Sequence, residues 1–267
     1  MLQLKNINLH HAQERWFRPS IWNPILKDIN LDLKKGELLA LVGGSGEGKS
    51  LLLQSILGLL PSSMKLSGQI FVDGEETDSV RQSELRGKTF SYIPQSVSAL
   101  NPLLKVGKQM HRAASLGGNA PTREMLLNQL KHYDLSENVL EHYPLTLSGG
   151  MAKRILVSCA TLSQARYILA DEVTAWLDDE HAEILLRHLK ALCLQHRGVL
   201  WITHDLHLAA HFADRVAVLH QGSIQEVINS SELRSGKGSP WLQSLWNALP
   251  EHRFMHAEEP RVYAASA

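Results

Sequence analysis

The chain has 267 residues, 44% of them apolar, with 27 basic and 27 acidic residues and a formal net charge of zero. That apolar content is ample for one large domain, or one domain with an inserted subdomain. The balanced charge argues against a general nucleic-acid or membrane-surface binder.

No apolar run approaches a membrane span, and the opening MLQLKNINLH lacks the pattern of a signal peptide. Cys159 and Cys193 have no C-x-x-C partner and read as reduced, buried thiols of a cytosolic protein. Residues 2–9 alternate apolar and polar, which predicts a half-buried strand. The following HHAQERWFRPSIWNP, with two prolines and three aromatics, reads as a long hairpin loop. Strands are expected over 25–33 and 38–42, parted by the turn Lys35-Gly36.

The second of these strands runs into GGSGEGKS, which fits G-x-x-x-x-G-K-[ST]. Gly43, Gly44, Ser45, Gly46, Glu47, Gly48, Lys49 and Ser50 form a loop between a buried strand and a helix over 49–59 that continues through Leu51. Glycines let successive backbone N–H groups converge on phosphate oxygens, and the helix start directs its positive dipole end there. In this motif Lys49 reaches the β- and γ-phosphates and the Ser50 hydroxyl ligates Mg²⁺. The loop predicts a nucleotide site.

Further strands are expected over 67–74, ending in an Asp-Gly turn, and over 89–95, stopped by Pro94. From 106 to 143 the pattern is helical, with breaks at Gly117-Gly118, Pro121 and Pro144, and reads as a helical insert. Strand and helix then alternate: strands over 167–170, 199–203 and 215–219, helices over 179–196 and from Leu206. Such alternation marks a parallel sheet layered with helices.

The strand over 167–170 ends in Asp171 and Glu172, at the carboxyl end where ligand sites of open α/β sheets form. Asp171 is placed to hold Mg²⁺ through water, and Glu172 to polarise a water for in-line attack on the γ-phosphate. His204 ends the parallel strand over 199–203, beside the same phosphates, and Gln95 suits sensing of Mg²⁺ or the attacking water. Ser148, Gly149 and Gly150 form a second anion-binding turn opening a helix, which makes sense if it serves a nucleotide held by another subunit. Most of the fourteen histidines, among them His132, His188 and His196, are scattered singly on helical segments and read as solvated faces. His207 and His211 have metal-ligand spacing but no third ligand, so no metal site is expected there.

Phosphate loop GGSGEGKS, glutamine loop PQ, signature LSGGM, ILADE, TAWLD and switch ITHD stand in the order of ABC-transporter ATPase subunits. The sequence resembles that family over nearly its whole length. The resemblance implies a single ATP-binding domain over 1–267, with a helical insert over about 104–160 and a C-terminal extension over about 229–267. It implies an α/β fold: a P-loop parallel-sheet core, an antiparallel β subdomain and an inserted α-helical subdomain. It further implies a head-to-tail dimer with two ATP molecules between phosphate loop and opposing signature. Glu172 is then the catalytic base, His204 contacts the γ-phosphate, Gln95 and Ser50 attend Mg²⁺, and Asp178 couples the two sites.

By the same resemblance, ATP closure and hydrolysis would drive two integral membrane permease subunits from the cytoplasmic face of the inner membrane, with cargo delivered by an extracytoplasmic solute-binding protein. SALNPLLKVGKQM, YPLTLSGGM and SPWLQSLWNALP look like the dipeptide, oligopeptide and nickel importers, which employ two distinct ATPase subunits. ALVGGSG, with Gly44 in place of a glutamate, looks closer to the nickel type. Val173 and Trp176 depart from the family's usual proline and small residue, though neither removes a reacting group. The adenine-stacking position falls on His11, with Trp16 a few residues on.

The competing reading is a DNA-repair-type or regulatory ABC ATPase. The first needs a very long coiled coil between phosphate loop and signature, where this chain has no sustained heptads. The second would be expected to lack Glu172 or His204.

Overall fold

In the computed structural model, which describes residues 1–15, 18–118, 120–175 and 177–249, the chain opens with β1 (Leu2–Arg15) and β2 (Arg18–Leu33). These pair antiparallel as far as Arg15 and Arg18. The stretch expected to be a hairpin loop is therefore a β-ribbon. Pro24 does not prevent this, because it lies on an edge strand opposite His10, beside a register shift, where its missing N–H breaks no ladder.

β3 (Leu38–Gly43), α1 (Lys49–Leu57), β4 (Met64–Val72), β5 (Glu75–Glu76) and α2 (Ser79–Leu85) follow. After β6 (Phe90–Ile93) the described chain is helical, through α3 (Val106–Leu116), α4 (Arg123–His132) and α5 (Gly149–Leu162). Then come β7 (Tyr167–Asp171), α6 (Asp179–Cys193), β8 (Gly198–Thr203), α7 (Leu206–Phe212) and β9 (Arg215–His220). β10 (Ser223–Asn229), α8 (Ser230–Arg234) and α9 (Pro240–Asn247) close the described part. The short β5, α2 and α8 carry too little apolar periodicity to be read from sequence.

One sheet is antiparallel, in the order β2-β1-β4-β5; the other has six strands, β10-β9-β3-β8-β7-β6. Its pairs from β9 to β6 are all parallel, and β10 adds an antiparallel edge. Together they form the α/β architecture expected from the sequence. Strand side chains alternate between faces, so β3 feeds two separate cores. Leu39 and Leu41 join β1, β2 and α1; Leu38, Ala40 and Val42 join α5, α6 and α7. Burial on both faces explains the unbroken apolar runs LLALV, YILA and GVLWI.

His132 and His196 are exposed, as expected of them, but His188 is half-buried. The His188 ring packs edge-on against Tyr133 with centroids 4.8 Å apart and meets His132 at 6.0 Å. Burial holds His188 below the usual imidazole range. Cys193 is buried and Cys159 half-buried. Burial pushes both thiols up to about 12, which leaves them poor nucleophiles.

The antiparallel sheet is tied to the parallel one through Asp73. Asp73 and Gly74, at φ 54 and 93, make the tight turn between β4 and β5. The Asp73 carboxylate accepts hydrogen bonds from the Tyr167 hydroxyl of β7 and the Met1 amine, both at 2.7 Å, and pairs with Lys35 at 2.9 Å and with Arg166. Partial burial opposes the charge, but these donors win and hold the carboxyl well below the usual carboxylate range. Since the folded pKa is depressed, the stabilisation is present above the unfolded value near ~3.9 and lost as pH falls through the folded value. Asp73→Ala is expected to cost about 1–2 kcal/mol at neutral pH. Denaturant unfolding as a function of pH checks this: the gap between variant and parent should shrink as pH falls below ~4.

Candidate active site

The carboxyl ends of four parallel strands meet at one edge of the sheet. Val42 is level with Thr203, Asp171 with Ile202, and Ile93 with Ala170. The loops that leave these ends carry the phosphate loop, Glu172, His204 and Gln95. Ser45, Gly46, Gly48, Lys49, Ser50 and Leu51 line an open cleft of about 330 Å³ together with Gln95 and Glu172.

The loop backbone needs its glycines. Gly46 and Gly48 have φ of 82 and 93, a left-handed conformation that costs glycine little. A Cβ on Gly43 would lie 2.5 Å from the Leu219 carbonyl oxygen of β9. The first turn of α1 has no side-chain cap and no acidic residue, so its N–H groups face the loop unpaired by side chains. Lys49 is 5% exposed, and its Nζ donates to the Gly43 and Gly44 carbonyls at 2.8 and 2.7 Å. Burial lowers its pKa against the opposing pull of Glu172, Glu47 and Asp171.

Asp171 is 2% exposed, and its Oδ1 is buried without a hydrogen-bond partner. Burial raises its pKa, while the Ser50 and Tyr92 hydroxyls favour its charged form. Burial, reinforced by Asp171, pushes the Tyr92 phenol up to about 12. Around the loop the carboxylates of Glu47, Asp171 and Glu172 outnumber the ammonium groups of Lys49 and Lys153. An acidic surplus with an orphaned carboxylate oxygen beside a serine hydroxyl is a donor set that suits a hard divalent cation.

Glu172 has φ 44, rare for a residue with a side chain. Its N–H is held by the Ile202 carbonyl at 3.0 Å, and its own carbonyl accepts from Ala175 at 3.1 Å. This fixes the carboxylate between two partners: Gln95 Nε2 donates to Oε2 at 2.7 Å, and His204 Nδ1 stands 3.8 Å from Oε1. His204 is itself exposed. A backbone held in a rarely populated region at one acid, with Gln95 and His204 both facing it, makes Glu172 the candidate catalytic residue of the cleft.

One contributor is absent from the sequence reading. Lys153 on α5 is 2% exposed and donates to the Gln95 and Pro94 carbonyls at 2.8 and 3.3 Å. It therefore ties the signature helix to the glutamine loop. Burial pushes its ammonium down to about 8, against the pull of Asp171 and Glu172. The sequence does carry a clue: a lysine three, four and seven residues before Leu156, Val157 and Ala160 lies on the apolar face of its helix.

Ser148 caps α5, accepting from the Met151 N–H at 3.3 Å, and Gly149 and Gly150 form the first turn. None of the three lines the phosphate-loop cleft of this chain. Asp178 caps α6, accepting from the His181 N–H at 2.9 Å, and its carboxylate also meets the His181 ring at 2.7 Å. His11 does not follow the first strand, as the sequence reading has it, but lies within β1, exposed, opposite Asn23 and Met64. Trp16 and Trp176 lie outside the described residues. The His207 and His211 rings pack together at 4.2 Å, and the described residues contain no group of three His, Cys, Asp or Glu able to hold a metal. No helix among the described residues is long and apolar enough to cross a membrane.

A family model described as ABC transporter matches residues 26–175. The chain is 35% identical over 264 residues to the oligopeptide transport ATP-binding protein OppD of Lactococcus lactis subsp. cremoris, covering 94% of this chain and 76% of that protein. It is 33% identical over 213 residues to the metal-staphylopine import system ATP-binding protein CntD of Staphylococcus aureus, covering 76% and 79%. The dimeric structure of MJ0796, a bacterial ABC transporter cassette, superposes with a TM-score of 0.72 at 27% identity, over 86% of this chain and 99% of that one. A post-hydrolysis dimer of the same cassette, bound to ADP and Pi, gives 0.73 at 27% identity over the same shares. Both kinds of match agree with the geometry of the cleft: the chain belongs to the ABC transporter family, as one of its ATPases.

Proposed function

We propose that this chain is the ATP-hydrolysing subunit of an importer, coupling hydrolysis to uptake of peptides or of nickel or a metal chelate. The observation that carries the catalytic part is the Gln95–Glu172 contact at 2.7 Å on the rim of the phosphate-loop cleft. ATP lies with its phosphates on the N–H groups of the loop and of the α1 start. Lys49 exchanges the Gly43 and Gly44 carbonyls for β- and γ-phosphate oxygens. Glu172 takes a proton from the attacking water, Gln95 orients that carboxylate, and His204 contacts the γ-phosphate. Ser50 and Gln95 would hold Mg²⁺, with Asp171 supporting the ion. When bound, the ion neutralises phosphate charge.

The second half of each site comes from another subunit. The turn at Ser148, Gly149 and Gly150 has the N–H groups of an anion site but lines no phosphate cleft of its own chain, which supports a head-to-tail dimer. Asp178, at the start of α6, then lies in the segment that couples the two sites. The partner is a second, different ATPase, and the pair sits on two permease subunits at the cytoplasmic face of the inner membrane, supplied by a solute-binding protein. Relatives named for oligopeptide transport and for metal-staphylopine import support that cargo class. With Glu172 and His204 both present, a regulatory ABC protein that does not hydrolyse ATP is the weaker reading, and nothing favours the DNA-repair alternative. His11 is the residue proposed to stack on adenine; His11→Ala should weaken ATP binding in a direct titration.

Glu172→Gln should retain ATP binding and lose ~10²–10⁴-fold in turnover, the usual worth of general-base assistance. Lys49→Ala should weaken ATP binding itself. Single-turnover hydrolysis and ATP titration of the assembled complex separate the two, and parental turnover in Glu172→Gln would refute the base. Ser148→Arg should leave ATP binding to this chain intact and block hydrolysis at the partner's site, where bulk and charge obstruct closure. Full transport by a complex with two copies of this chain and no second ATPase would refute the heterodimer.

A further inference from the structure

The phosphate loop contains an acid where its polyanionic ligand makes one costly. Glu47 stands between Gly46 and Gly48, and its negative charge is close enough to influence Lys49. A carboxylate free to turn inward would oppose phosphate binding.

The structure turns it away. Glu47 Oε1 meets His220 Nδ1 at 3.1 Å, and the Glu47 side chain is 16% exposed. Its Oε2 is buried without a partner, so among the described residues the imidazole is the one side-chain group holding the carboxylate. His220 is the last residue of β9, whose preceding residue, Leu219, pairs with Gly43 at the start of the loop. Trp241 of α9 packs beside the imidazole, with ring centroids 5.2 Å apart and a 33° tilt.

α9 is itself fixed to the body of the protein. Leu242 and Trp246 are buried in the helical-side core, and the Ser239 N–H before the helix donates to Glu226 on β10 at 3.0 Å. A chain of contacts thus runs from the C-terminal helix through an imidazole to the middle of the phosphate loop. The segment SPWLQSLWNALP, distinctive in the sequence, gains a role at the site through it.

We propose that His220 is a positioning residue for nucleotide binding: backed by Trp241, it holds the Glu47 carboxylate out of the phosphate path. The inference rests on the assignment of this loop as the ATP site. It makes a prediction in sign that a merely structural contact does not. Losing the imidazole should weaken ATP binding, and removing the Glu47 charge as well should reverse that loss.

The test is ATP titration by calorimetry on the full-length chain, with thermal unfolding of each variant as a check on folding. His220→Ala should weaken ATP binding on the order of tenfold, the scale of one unit charge at several ångströms in a partly solvated site. Trp241→Ala should produce a smaller loss. His220→Asn, whose amide can donate from near the Nδ1 position, should restore most of the affinity. The double variant Glu47→Gln, His220→Ala should bind ATP as tightly as Glu47→Gln alone. The inference is overturned if His220→Ala binds like the parent, or if the double variant remains as weak as His220→Ala. Failure of the parent chain to bind ATP at all would instead overturn the nucleotide reading beneath it.

Discussion

Everything at the site depends on the parallel register of the large sheet. Because β3, β8 and β7 pair level with one another, their carboxyl ends stop on one line, and the loops leaving them share a small volume. A slip of one residue would exchange the two faces of a strand and bury the wrong half of its side chains. Two-sided burial therefore protects the register, and the register places Glu172, His204 and the phosphate loop together. Core packing and catalytic geometry are in this sense one constraint.

The same edge concentrates charge that the fold alone does not balance. Lys49 and Asp171 are nearly inaccessible, yet Lys49 has only backbone carbonyls as acceptors and Asp171 keeps an unpaired oxygen. Burying ionised groups with incomplete partners is unfavourable. A nucleotide and a divalent cation, as proposed above, would supply the missing partners.

Connections between elements run through single polar side chains. Asp73 joins the antiparallel sheet to β7, Lys153 joins the signature helix to the glutamine loop, and His220 joins β9 to the phosphate loop. Each links segments far apart in the chain.

The sequence by itself determined the elements that bury both faces or break sharply. The apolar runs of β3, β7 and β8, the glycine loop and the carboxylates at strand ends are legible because composition and spacing there have one physical solution. The stretch after residue 9 was not, since prolines and aromatics suit a loop as well as an edge ribbon, and only pairing with β2 decided between them. That pairing also placed His11 inside a strand instead of after one. Helical spacing hinted that Lys153 is buried, but the partners of Lys153, His188 and His220 were decided by tertiary structure alone. What a lone charged or imidazole side chain does depends on which distant backbone or carboxylate faces it, and sequence periodicity carries no record of that.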